Sequence, residues 1–206
     1  AIELADMREI GAKALKQGVE KELKELHMNG VRFGVDFNYP PDPQGFVQYH
    51  REKLKPTSIG LGTLEFLFSP NPGEELRPLA KIASGGELSR IMLALKSILN
   101  KQDTIPVMIF DEVDTGIGGR IAEKVGTKMK KVAETKQVFC ITHLPQIAGM
   151  ASTHFRVEKN VQGKRTRAGI RQLEFAERVE ELARMSSGEK ITEASLQHAR
   201  ELISDH

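Results

Sequence analysis

Two short apolar runs, Val107-Met108-Ile109-Phe110 and Val138-Phe139-Cys140-Ile141, constrain this chain most. Each is too short for a helix. Polar groups follow each at once, Asp111-Glu112 after the first and Thr142-His143 after the second. Between them, Ile121, Val125, Met129 and Val132 recur at helical spacing. Strand, amphipathic helix and strand in that order predict a parallel pair joined by a right-handed crossover. Unbroken apolar runs predict central strands buried on both faces. Open α/β sheets bind ligands outside the carboxyl ends of their strands, where Asp111, Glu112 and His143 fall.

A second stretch lies upstream. Ile82-Ala83-Ser84-Gly85-Gly86-Glu87-Leu88-Ser89-Arg90 runs from a small-residue turn into a helical pattern of Leu88, Ile91, Met92, Leu95, Ile98 and Leu99. Ser84 and Glu87 have the spacing of a capping box, so the helix is predicted to begin here. Gly85 and Gly86 leave backbone N–H groups uncovered at the positive end of that helix, where an anion can approach. By itself this describes an ordinary capped helix.

Taken together, the stretches resemble the signature motif, Walker B strand, D-loop and H-loop of an ABC-type ATPase head. Ser-Gly-Gly-Glu with Asp111-Glu112-Val113-Asp114 is similar to the SMC-like branch. Thr115-Gly116-Ile117-Gly118-Gly119, Thr142-His143-Leu144-Pro145-Gln146-Ile147-Ala148 and Phe66-Leu67-Phe68-Ser69-Pro70-Asn71-Pro72-Gly73-Glu74-Glu75-Leu76 resemble its DNA double-strand-break repair members. The resemblance implies an α/β fold: the C-terminal lobe of an ABC-type head, a mostly parallel sheet flanked by helices. It also implies that residues 1–28 end a coiled-coil arm and that 29–206 are the C-terminal half of the head.

The resemblance also implies roles. Asp111 would hold Mg²⁺, which takes oxygen ligands and keeps several waters. Glu112 would be the base that polarises the water attacking ATP, and His143 would meet the γ-phosphate. Ser84, Gly85, Gly86 and Glu87 would cover the ATP held on a second head. Asp114 matches the D-loop aspartate, which crosses the dimer interface, although the wording here departs from the Ala-Leu-Asp of transporters. The implied partners are the N-terminal half of the same protein, a second head in a homodimer, and DNA. The implied function is ATP-dependent DNA repair in the cytoplasm, at the nucleoid. Two rivals remain: a non-hydrolysing DNA tether, and the ATPase head of another SMC or ABC protein. Glu112 argues against the first and the Asp111–Gly119 wording against the second.

No Gly-x-x-x-x-Gly-Lys-Ser/Thr phosphate loop occurs in the 206 residues. The chain begins inside a helical pattern without methionine, so it reads as part of a split head. Net charge is only +2, so bulk charge does not announce nucleic-acid binding. Basic strips at Lys124, Lys128, Lys130, Lys131 and Lys136, and at Lys164, Arg165, Arg167 and Arg171, read as solvated faces. Cys140 is the one cysteine and excludes an internal disulfide. No apolar run approaches the ~20 residues of a membrane-spanning helix.

Elsewhere the patterns are simple. Leu15, Val19, Leu23 and Leu26 mark a helix over 1–28, stopped by Asn29-Gly30. Val31, Phe33, Val35 and Phe37 alternate as a strand, as do Leu64, Phe66 and Phe68. Residues 46–55 suggest a further short strand. Two strands over 153–159 and 165–173 are expected, with a turn at Gln162-Gly163, then helices over 176–185 and 191–203.

Overall fold

In the computed structural model the chain divides into two compact units, Ala1–Leu99 and Asn100–His206. The structure describes residues 1–81, 84–162, 165–188 and 190–204, without the side chains of 160–162, 165 and 166. Ile82 and Ala83, the Gly163 half of the expected turn, Lys164 and His206 lie outside the described residues. The first helix is built into the first unit.

The first unit opens with α1, Ile2–Glu25. Val19 and Leu23 are buried, with Leu26 just beyond the helix, as their spacing predicts. Ala5 is buried further back, against Tyr49, Leu54 and Leu61. Strand β1, Arg32–Asn38, pairs antiparallel with β4, Thr63–Ser69, with Phe33 opposite Phe68 and Val35 opposite Phe66. Phe33 and Phe68 are among the largest fully buried side chains. Residues 46–55 form two strands rather than one, β2 (Val47–Tyr49) and β3 (Glu52–Leu54), closed by His50 and Arg51, both at positive φ. Two consecutive left-handed residues make the tight turn of a hairpin, normally written with Asn-Gly, so the usual signal was missing. A two-residue strand β5, Arg77–Pro78, joins β4, and α2, Gly85–Leu99, closes the unit.

The second unit holds the expected strand–helix–strand. β6, Val107–Phe110, and β7, Gln137–Cys140, pair in parallel, and α3, Gly119–Ala133, connects them. Ala122, Val125, Met129 and Val132 bury the inner face of α3. α4, Pro145–Gly149, lies close against α3 at Gly126, where an added Cβ would sit 2.5 Å from Met150 Sδ. A long antiparallel hairpin follows, β8 (Phe155–Gln162) and β9 (Arg165–Gln172). Helices α5, Phe175–Ser187, and α6, Glu193–Ser204, complete the unit around Val179, Leu182, Ala183 and Ala199.

The class is α/β, but among the described residues parallel pairing is confined to β6 and β7. The other pairs are antiparallel. Two residues separate β2 from β3, and two separate β8 from β9, which leaves no room for a crossover. A second expectation fails on burial. The parallel strands are buried on one face only: Met108 and Phe110 point inward, while Ile109 is 70 % and Ile141 60 % exposed. Val107 and Phe139 share that open face. Apolar side chains on both faces of a strand express a need for two covers, and this chain supplies one.

Candidate active site

Ser84 to Arg90 belong to the first unit, and Asp111 to His143 to the second. Helix α2 starts at Gly85, as the capping pattern predicts. The Ser84 hydroxyl accepts a long hydrogen bond from Glu87 N, 3.4 Å, and the Ser84 carbonyl accepts one from Leu88 N, 3.0 Å. Ser84 and Gly85 are exposed, Gly86 is buried and Glu87 half-buried. Arg90 is buried as well. Burial pulls its guanidinium below its ordinary pKa, and the charge of Glu87 opposes that shift. The motif thus presents an open first turn above an anchored second one.

In the second unit, β6 and β7 run in register, Phe110 beside Cys140, and Ile141 N donates to Phe110 O at 3.0 Å. The strands therefore end at the same edge. Asp111 and Glu112 leave β6 there, and Thr142 and His143 leave β7. This brings together side chains that stand about thirty positions apart in sequence. Asp111 and Glu112 are both exposed. Glu112 N donates to Asp111 Oδ1 at 2.9 Å. Glu112 itself has φ +56°, a left-handed conformation unfavourable for a residue with a Cβ. A turn closed by Thr115 N donating to Glu112 O, 3.0 Å, holds it there.

Asp114 is only 3 % exposed. Its Oδ2 accepts from Thr142 Oγ1 at 2.5 Å and from the His143 backbone N at 2.9 Å, and lies 3.0 Å from His143 Nδ1. Thr142 Oγ1 in turn accepts from Leu144 N at 3.0 Å. The resemblance has Asp114 meet a nucleotide or a second molecule; within this chain its side chain meets the loop after β7. Its carboxylate is turned into its own unit and consumed by the loop after β7. The physical reason is position: by the fourth residue past the strand the chain has turned back, and Val113 and Asp114 point inward.

The His143 side chain is 72 % exposed, although one ring nitrogen is held. Beneath this edge, burial, reinforced by Asp114 and Asp111, pushes the Cys140 thiol up to about 12, so it is an inert packing group. α4 begins at Pro145, directly after this loop, and its C-terminal end is gripped by Arg178. The guanidinium donates to Gly149 O at 3.3 Å and to Ala151 O at 2.7 Å. The roles of Thr142 and Arg178 were not anticipated. Both depend on partners 26 to 29 residues away, which no local pattern reports.

An exposed carboxylate at a strand end suits Mg²⁺, a hard cation that shares its shell with water and phosphate oxygens. Among the described residues no group of three or more His, Cys, Asp or Glu side chains could hold a metal ion.

The sequence matches a DNA repair protein RecN from Bacillus subtilis at 40 % identity over 205 residues, 98 % of this chain and 36 % of the relative. A second, from Rickettsia felis, matches at 44 % over 203 residues, again 98 % of this chain and 35 % of the relative. The chain belongs to the RecN family, as its C-terminal part. It spans about a third of the length of these RecN relatives. No protein-family model matches it. Among solved structures, an Smc head domain with a coiled coil and joint, derived from Pyrococcus yayanosii, covers 88 % of this chain and 30 % of its own. The TM-score is 0.55 at 18 % identity, so this likeness is one of fold. The RecN matches favour this family over the head of another SMC or ABC protein.

Proposed function

We propose that this RecN segment is the C-terminal half of an ATPase head that hydrolyses ATP once joined to its N-terminal half. In that assembly, coupling to coiled-coil arms would hold broken DNA. The arrangement that carries this reading is the shared edge of β6 and β7, where Asp111, Glu112 and His143 emerge together. Phosphoryl transfer asks a protein mainly for positioning and charge stabilisation. Asp111 would hold Mg²⁺, which when bound neutralises phosphate charge. Glu112, next in sequence, polarises the attacking water. His143 presents its exposed ring to the γ-phosphate. Ser84, Gly85, Gly86 and Glu87, at the open start of α2, cover the ATP of a second head, so nucleotide binding joins two heads. Helix α1 continues into the arm. The open apolar face of Val107, Ile109, Phe139 and Ile141 receives the N-terminal half, completing the sheet. The work is done in the cytoplasm, on the nucleoid.

The test is Mg²⁺-dependent turnover by the complete protein and by its Glu112→Gln variant. Glutamine keeps the shape but cannot accept a proton from water. ATP binding should persist while turnover falls at least about a hundredfold. A variant turning over at the wild-type rate removes Glu112 from the mechanism. A wild-type protein that binds ATP without hydrolysing it makes this a nucleotide-gated tether instead.

A further inference from the structure

We infer that Asp114 is a positioning residue for His143, holding the ring with Nδ1 inward and Nε2 toward whatever His143 meets. The inference rests on the ATPase reading for its consequence, not for its geometry. A single carboxylate oxygen, Asp114 Oδ2, gathers the Thr142 hydroxyl, the His143 backbone N–H and the His143 ring within 3.0 Å. Asp114 Oδ2 acts as an acceptor toward both the Thr142 hydroxyl and the His143 backbone N–H. The third group facing it must therefore be a donor. Nδ1 carries a proton whether the ring is neutral or cationic, and the tautomer follows from that bond.

The consequence lies in the other nitrogen. With Nδ1 committed, the neutral ring offers Nε2 only as an acceptor. It donates through Nε2 only when the ring is a cation, and the fixed carboxylate supplies the countercharge for that cation. Asp114 thus sets both the direction of the ring and which of its nitrogens faces a phosphate oxygen. The two hydrogen bonds to Thr142 and His143 N keep the loop itself from turning. Side-chain exposure divides the pair, with Asp114 at 4 % and His143 at 72 %, so the carboxylate reaches a ligand only through the ring.

The tautomer is measured directly by long-range proton–nitrogen correlation spectra of this chain with ¹⁵N-labelled histidine, recorded where the rings are neutral. A His143→Gln spectrum assigns the signal. The expected wild-type result is a protonated Nδ1 at His143, and Asp114→Asn should move the proton to Nε2 or let it exchange. A wild-type His143 protonated on Nε2 overturns the inference, and that result needs no variant to fold. In the complete protein, Asp114→Asn should lower kcat at least about tenfold with ATP binding retained. His143→Ala should cost a similar factor, and the double variant no more than either, because the two act as one unit. Losses that multiply overturn the inference. Absence of ATP turnover in the wild type would overturn the ATPase reading instead, and the tautomer would then decide alone.

Discussion

Glu112 is the residue at which conformation and chemistry meet. A non-glycine residue at φ +56° costs about 1–2 kcal/mol relative to an ordinary backbone conformation. The turn to Thr115 and the bond from Glu112 N to Asp111 offset that cost. Glycine accepts this conformation freely but loses more chain entropy on folding, about 0.5–1 kcal/mol. Glu112→Gly should therefore leave stability unchanged or raise it by up to about 1 kcal/mol, whereas Glu112→Val should lower it by more than that. Denaturant midpoints of the three chains check the order. A glycine variant clearly less stable than wild type would mean that the glutamate side chain contributes to the fold. Strain held at this position but not at Asp111 is what a residue kept for its chemistry would show.

At the scale of elements, α4 connects the site to the rest of its unit. It has five residues, too few to be stable alone, and depends on its packing against α3 and on Arg178. Arg178→Ala removes a charged donor from the carbonyls of Gly149, Ala151 and, at 3.5 Å, Ser152. The expected loss is about 1–2 kcal/mol in unfolding free energy, given that the guanidinium is partly exposed. His154, on the strand side of the same arginine, gives the unit a pH dependence. Burial lowers its pKa, Arg178 lowers it further, and Glu181 opposes them. The folded unit thus resists a proton that the unfolded chain takes up near the ordinary pKa of about 6.5. Stability from this group is complete above that pH and is lost as pH falls through the depressed folded value. Thermal unfolding between pH 7.5 and 5 should show the decline, and His154→Gln should flatten it. Glu181 acts lower down. Burial raises its pKa, but Arg184, Arg156 and His154 outweigh that and hold it below the usual carboxyl range. Its contribution is present above about pH 4.5 and is lost in stronger acid.

Across the whole molecule, the chain should fold yet fail to hold ATP tightly. Each unit has its own buried cluster. No phosphate loop occurs in the sequence, and that element supplies most of the grip on nucleotide phosphates. A helix terminus such as that of α2 is worth about 1 kcal/mol toward an anion, while micromolar affinity needs about 8 kcal/mol. Calorimetric titration with Mg·ATP should detect no micromolar site. Heat of binding at that affinity would reveal a phosphate site elsewhere in these residues. Adding the N-terminal half in trans should restore binding, and Ile109→Asp should prevent it without unfolding this chain, since Ile109 is already largely in water. Restoration at wild-type strength would show that the open sheet face is not the joining surface.

Much of this was legible in the residues themselves. Periodicity placed α2, α3 and β4 because local burial patterns repeat every 2 or 3.6 positions, and two short unbroken apolar runs placed β6 and β7. The short polar sequences at the strand ends identified Asp111, Glu112 and His143 because a parallel pair in register must deliver its ends to one edge. Three matters required the tertiary structure. The His50-Arg51 turn breaks the residue preferences by which hairpins are read. The open face of β6 and β7 looks in sequence like a buried one, since apolar composition records a need for cover without saying what provides it. Asp114 matched a motif position that implied an outward contact, yet it faces Thr142 and His143. Contacts across 28 and 29 positions arise only when β6 and β7 pair, and no local pattern encodes which loop a buried carboxylate will meet.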